Sequence, residues 1–98
     1  MFSREGKFCR KIGSEKGSPG CLQRPRGLAF DFAKNLLVAD AGLNRVLVFR
    51  ADGMFLLGFG SRGPGPQQFY APYDIVVDSA GRILVSDHGN GRIAIFVL

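Results

Sequence analysis

The sequence predicts an all-β fold made of two copies of a four-stranded antiparallel meander, and three observations carry that prediction. The first is self-similarity: the chain aligns with itself without a gap at a shift of 47 residues, with 14 identities over the 48 aligned positions 2 to 49. Gly13, Pro25, Asp31, Asp40, Gly42, Arg45 and Phe49 recur as Gly60, Pro72, Asp78, Asp87, Gly89, Arg92 and Phe96. A period in the forties marks one supersecondary unit repeated. The second is that the apolar runs are short, rich in Val, Ile and Leu, and bounded by Gly, Asn and Asp, which is the punctuation of strands rather than helices. The third is the Asp52-Gly53 step before Phe55, echoed by Glu5-Gly6 before Phe8; Asp-Gly is a strong hairpin signal.

The elements follow in order. An outer strand is expected at about 7 to 12, containing Phe8 to Ile12, and strands then at Leu28-Ala29-Phe30, Leu36 to Ala39 and Val46 to Phe49. The second copy supplies a strand at about 54 to 60, then Ile75 to Val77, Ile83 to Val85 and Ile93 to Phe96. Lettered outward from a central axis, the chain reads d, a, b, c, d, a, b, c. Four strands at this period fit a β-propeller blade. Residues 1–98 thus hold one repeat at about 2–49 and a second at about 49–96, two blades' worth of strands cut one strand out of phase. A ring needs about four blades to close. Two blades alone expose both lateral flanks, expected to be lined by Phe30, Val38, Val48, Val77, Val85 and Ile95. The neighbours are therefore expected to be blades of a longer parent chain or two further copies in a homotrimer.

The stretches Arg24-Pro25-Arg26-Gly27-Leu28-Ala29-Phe30-Asp31, Leu37-Val38-Ala39-Asp40, Arg45-Val46-Leu47-Val48-Phe49 and Gly53-Met54-Phe55-Leu56-Leu57-Gly58-Phe59-Gly60 resemble the NHL repeat. The resemblance covers nearly the whole chain and implies a six-bladed propeller. The loop Ser61-Arg62-Gly63-Pro64-Gly65-Pro66-Gln67-Gln68-Phe69 is most similar to the NHL region of animal tripartite-motif (TRIM) proteins, in which RING and B-box modules precede the propeller. That likeness implies a parent ubiquitin ligase for which this segment selects the target. Two positions depart from the pattern. Asn90 lies three residues after Asp87, but Leu43 stands in that place after Asp40 with Asn44 next, so a differently shaped b–c loop is expected; Asp74 replaces Gly27 in the second copy.

Charge is unevenly placed. Residues 1 to 26 carry seven basic against two acidic side chains, the whole of the net +5, while residues 27 to 98 balance. Lys7, Arg10 and Lys11 are expected to guard an outer edge strand against pairing with other chains. Antiparallel alternation puts the d–a and b–c loops on one face of the disc, so Lys16, Arg24, Arg26 and Arg62 are expected to share it with Tyr70, Tyr73 and His88. Basic side chains interleaved with aromatics suit phosphates and unpaired bases. RNA or a protein partner is the expected ligand there, with His88 a base contact or simply a solvated loop residue. A purely structural scaffold with a positive edge for solubility is the competing reading. Asp40 with Arg45 and Asp87 with Arg92 bracket the same turn in each copy, and recurrence in both points to a structural clamp on the b–c hairpin.

Catalysis is not expected. His88 is the sole histidine, and Cys9 and Cys21 lack metal-ligand spacing, so neither metal nor other cofactor is implied. The family includes amidating lyases with metal-bound propeller sites, but the histidines of such a site are absent, leaving a propeller hydrolase or lyase as a remote alternative. Ser61 to Gly65 has no Lys-Ser/Thr element of a phosphate loop. No apolar stretch approaches the eighteen or so residues of a membrane span, and a cytoplasmic location with two thiols, Cys9 serving as a small hydrophobe, is the expectation.

Overall fold

The computed structural model describes residues 8–98 and contains seven strands in two antiparallel sheets. The first sheet is β1 (Pro25–Phe30), β2 (Leu36–Asp40), β3 (Arg45–Phe49) and β4 (Phe55–Phe59), in that spatial order; the second is β5 (Pro72–Val77), β6 (Ile83–Asp87) and β7 (Arg92–Phe96). A 3-10 turn, His88–Asn90, links β6 to β7. Each sheet is an up-and-down meander, as expected of propeller blades, and each strand lies beside the next because a short turn leaves it no other partner.

Equivalent strands pair in equivalent registers. Leu36 faces Phe49 and Asp40 faces Arg45 across β2 and β3, while Ile83 faces Phe96 and Asp87 faces Arg92 across β6 and β7. Period-two alternation then sorts each strand's side chains onto two faces. Leu37, Ala39, Val46 and Val48 of the first blade meet Phe69, Ile75, Ile83 and Val85 in the core between the blades. Phe59, Phe69 and Phe96 close its outer end, their ring centroids 4.9 to 6.4 Å apart. The inner strands β1 and β5 approach closely: a Cβ on Gly27 would lie 2.5 Å from the carbonyl oxygen of Tyr73, so only glycine fits there. Asp74, its counterpart, is exposed.

The first blade's opposite face buries Val38, Leu47 and Phe49 beneath Ile12, Leu22, Leu36, Leu43 and Phe55. Here two expectations are corrected. Residues 8–12 form no strand; position 7 lies outside the described residues. An outer strand exists only against the c strand of its own blade, and the c strand that residues 8–12 would join precedes them in repeat order. The flanks are also lined differently: Val48 and Val85 lie in the interblade core with Val77 packed on it, and Val38 is covered by residues 12 to 22, whereas Phe30 and Ile95 are exposed. Cys9 is exposed rather than a core hydrophobe, and no disulfide joins it to Cys21.

Candidate interaction face

The loop face is organised by two buried carboxylates, both fully excluded from solvent and both closing the b strand of their blade. Asp40 accepts four backbone N–H groups, from Gln23 (2.8 Å), Arg24 (2.9 Å), Gly42 (2.9 Å) and Leu43 (3.1 Å). Asp87 accepts the backbone N–H of Tyr70 (2.7 Å), the Nδ2 amide of Asn90 (2.8 Å) and the Nε of Arg92 (3.1 Å). Gln23 and Tyr70 are one period apart, so each carboxylate ties its b–c turn to the d–a loop that leads into its own blade. Charge-assisted bonds of this kind hold loops that carry little apolar area of their own.

The expected clamp is therefore an ion pair in one blade only. Arg92 donates to Asp87 and also to the carbonyls of Pro64 (3.0 Å), Gly65 (2.6 Å) and Gln68 (2.7 Å), stapling loop 62–69. Arg45 does not pair with Asp40; its Nε donates to the carbonyl of Gly60 at 3.2 Å. Three backbone N–H groups converge on Oδ1 of Asp40 and one on Oδ2, so this carboxylate is satisfied by backbone donors without a guanidinium. The b–c loops differ as expected: Asn90 reaches Asp87 and the Gly63 carbonyl, whereas Leu43 offers Asp40 its backbone and packs its side chain on the first blade. Both loops use a left-handed residue at the same place, Asn44 at φ 56° and Gly91 at φ 63°. Asn44 then accepts the N–H of Ala71 at 2.8 Å, joining the two blades at this face.

On that frame stand the exposed residues. The guanidinium carbon of Arg62 sits 4.9 Å from the Tyr70 ring centroid, with Nη2 donating to the phenol oxygen at 3.2 Å. That of Arg26 sits 5.6 Å from the ring of Tyr73, whose other neighbour is His88 at 6.0 Å between centroids. The backbone N–H of Gly89 donates to the Tyr70 carbonyl at 2.6 Å, which sets Tyr70 beside the His88 turn. Arg62, Tyr70, His88, Tyr73 and Arg26 thus form one row, both tyrosines remaining nearly half exposed (46% and 48%). Lys16 and Arg24 are exposed on the corresponding d–a loop of the first blade, and contacts tying them to the row are not among its stacked pairs. One relation went unread in the sequence: Arg26 and Tyr73 are themselves one period apart, so equivalent positions of neighbouring blades meet at the inner rim.

Among the described residues no group of three or more His, Cys, Asp or Glu side chains could hold a metal ion, and no helix is long and apolar enough to cross a membrane. A family model described as a 6-bladed beta-propeller, DUF5128, matches residues 22–98. No curated protein matches the chain.

Proposed function

We propose, from the premise that this chain belongs to the 6-bladed beta-propeller family, that it is a non-catalytic interaction module whose d–a and b–c loop face binds single-stranded RNA. The observation that carries the reading is the row of two arginine–tyrosine stacks held on a rigid hydrogen-bonded frame. Each half-exposed tyrosine offers a π-face to a base, and each guanidinium lies where the adjoining phosphate would run; base–aromatic stacking contributes about 1 to 3 kcal/mol per base. The frame matters because a ligand gains most from side chains that are already ordered. Lys16 and Arg24 extend the positive field to the first blade. The finer assignment, an NHL propeller of a tripartite-motif-like protein acting in the cytoplasm, rests on the motif residues and belongs to this proposal, as does target selection for a parent ubiquitin ligase.

The test is binding of fluorescent single-stranded RNA across a salt series. Tyr70→Ala and Tyr73→Ala should each weaken it by about 1 to 3 kcal/mol. Arg26→Glu with Arg62→Glu should flatten the salt dependence by roughly 0.7 log units per lost phosphate contact. Binding no stronger than that of an unrelated basic protein at physiological salt sinks the RNA reading and leaves an acidic protein surface as the ligand for the same arginine–tyrosine row, since Tyr and Arg also dominate protein hot spots.

A further inference from the structure

Arg45 and Arg92 open equivalent strands one period apart, and both are half-buried, yet their guanidinium groups are engaged differently. Arg92 donates from Nε, Nη1 and Nη2, to the Asp87 carboxylate and to three carbonyls of loop 62–69. Arg45 donates from Nε alone, to the Gly60 carbonyl. Among the described residues its Nη1 and Nη2 meet no acceptor, and no buried side-chain nitrogen or oxygen lacks a partner, so both groups reach solvent. An arginine carries five N–H donors in a planar fork; in Arg45 the two-nitrogen end of that fork stands open.

The difference begins in the d–a loops. The N–H of Leu22 closes the first loop on the Gly13 carbonyl at 2.8 Å, whereas Phe69, its counterpart, donates to Ser61 at 2.8 Å, one position beyond the counterpart of Gly13. That shift leaves the Gly60 carbonyl to Arg45. The fork passes over Gly58, where a Cβ would lie 2.8 Å from Nη2. Gly60 is two residues before Arg62, and Asn44, adjacent to Arg45, accepts the N–H of Ala71 beside Tyr70. The open fork therefore adjoins the Arg62 end of the arginine–tyrosine row, the end away from Arg26. Among the described residues the ion pairs are Arg50–Asp52, Arg82–Asp78 and Arg92–Asp87, so no carboxylate neutralises Arg26, Arg45 or Arg62.

We propose that Arg45 is a further phosphate contact, taking the backbone of an RNA strand that runs on from Tyr70 past Arg62. The inference rests on the RNA reading above and extends its footprint by one subsite. A guanidinium fork accepts two oxygens of one phosphate, which a point charge does not. The Nε bond to Gly60 sets the plane of the fork beforehand, so little order is lost when the phosphate arrives. One repeated residue thus has two roles: in the second blade it holds a loop, and in the first it is left to the ligand.

The test is a length series of fluorescent single-stranded RNA, each strand titrated across salt with the full chain and with its Arg45→Gln and Arg45→Lys variants. The shortest strands whose binding needs both Tyr70 and Tyr73 should bind Arg45→Gln and wild type alike. On longer strands wild type should gain a contact, and Arg45→Gln should lose roughly 0.7 from the slope of log affinity against log salt, the value of one single-strand phosphate. Arg45→Lys keeps the charge without the fork, so it should restore the slope but only part of the affinity. Loss of the Gly60 bond by itself would lower the melting temperature and leave the slope alone. Equal slopes for wild type and Arg45→Gln at every length, or an equal loss at every length, overturns the assignment and leaves the RNA reading standing. Wild type that binds none of the strands overturns both.

Discussion

Val46 and Val48 in β3 occupy the same places, one period apart, as Ile93 and Ile95 in β7, yet the valines are 0% and 1% exposed and the isoleucines 60% and 56%. The residue types are equally apolar, and the strands pair in the same register with their b neighbours. What differs is the next layer: β3 has the second blade on its flank and β4 at its edge, whereas among the described residues β7 has neither. Burial in a repeat fold is a property of neighbours, and a blade's sequence specifies only which faces need covering.

The widest gap between the blades should come from the residues that cap their flanks. Phe69→Ala, at 0% exposure in the interblade core, should cost about 4 kcal/mol in urea unfolding, while Leu22→Ala, on the partly covered flank, should cost about 2. Equal costs would mean that residues 12–22 seal the first flank as firmly as a blade does.

The two arginines sharpen the contrast at the loop face. Arg92→Ala strips a fully buried carboxylate of its cationic partner and leaves three carbonyls short, for about 3 kcal/mol, measured as a drop in melting temperature. Arg45→Ala forfeits one bond to Gly60, for about 1 kcal/mol. A larger loss at Arg45 would show that Asp40 depends on it despite its four backbone donors.

Strand interiors come next. Val48→Ala should cost about 2 kcal/mol. Ile95→Ala should cost less than about 0.5 kcal/mol in any monomer held at high dilution. A cost at Ile95 that appears only as concentration rises would place the difference between the blades in assembly.

The smallest effect is a pH dependence at the a–b turn of the second blade. The backbone N–H of Arg82, with its guanidinium and the N–H of Ala80, holds the Asp78 carboxyl below its ordinary value against the opposing cost of desolvation. At the β3–β4 hairpin the Met54 N–H and then Arg50 do the same for Asp52. A depressed folded-state value means that this stabilisation is complete above the unfolded value of 3.8 and is lost as pH falls through the folded one. Asp78→Asn should accordingly flatten the acid limb of the stability curve by lowering neutral stability by the small amount the ionised carboxylate contributes, with stability at low pH nearly unchanged. An identical acid limb in that variant would remove Asp78 from the account.

The site residues show where sequence reasoning stops. Tyr70, Tyr73, His88, Arg26 and Arg62 could be assigned to one face from strand alternation alone, because in an up-and-down meander every second loop shares a side. Their pairing could not: Arg26 lies over Tyr73 only because β1 and β5 approach at Gly27, a contact across 47 residues. Asp40 and Arg45 show the converse, since identical residues at identical spacing were read as a repeated pair, whereas Asp40 takes four backbone donors and Arg45 bonds the Gly60 carbonyl.

Two blades and their strand order were determined by the sequence itself, through a 47-residue period, two-residue apolar alternation and Asp-Gly or Gly-rich turns. Those signals are local, each read within a hairpin. Which flank is dry and whose donors satisfy Asp40 were decided only by the tertiary structure. The first depends on the packing of one blade on the next, and the second in part on Gln23 and Arg24, 17 and 16 residues before Asp40.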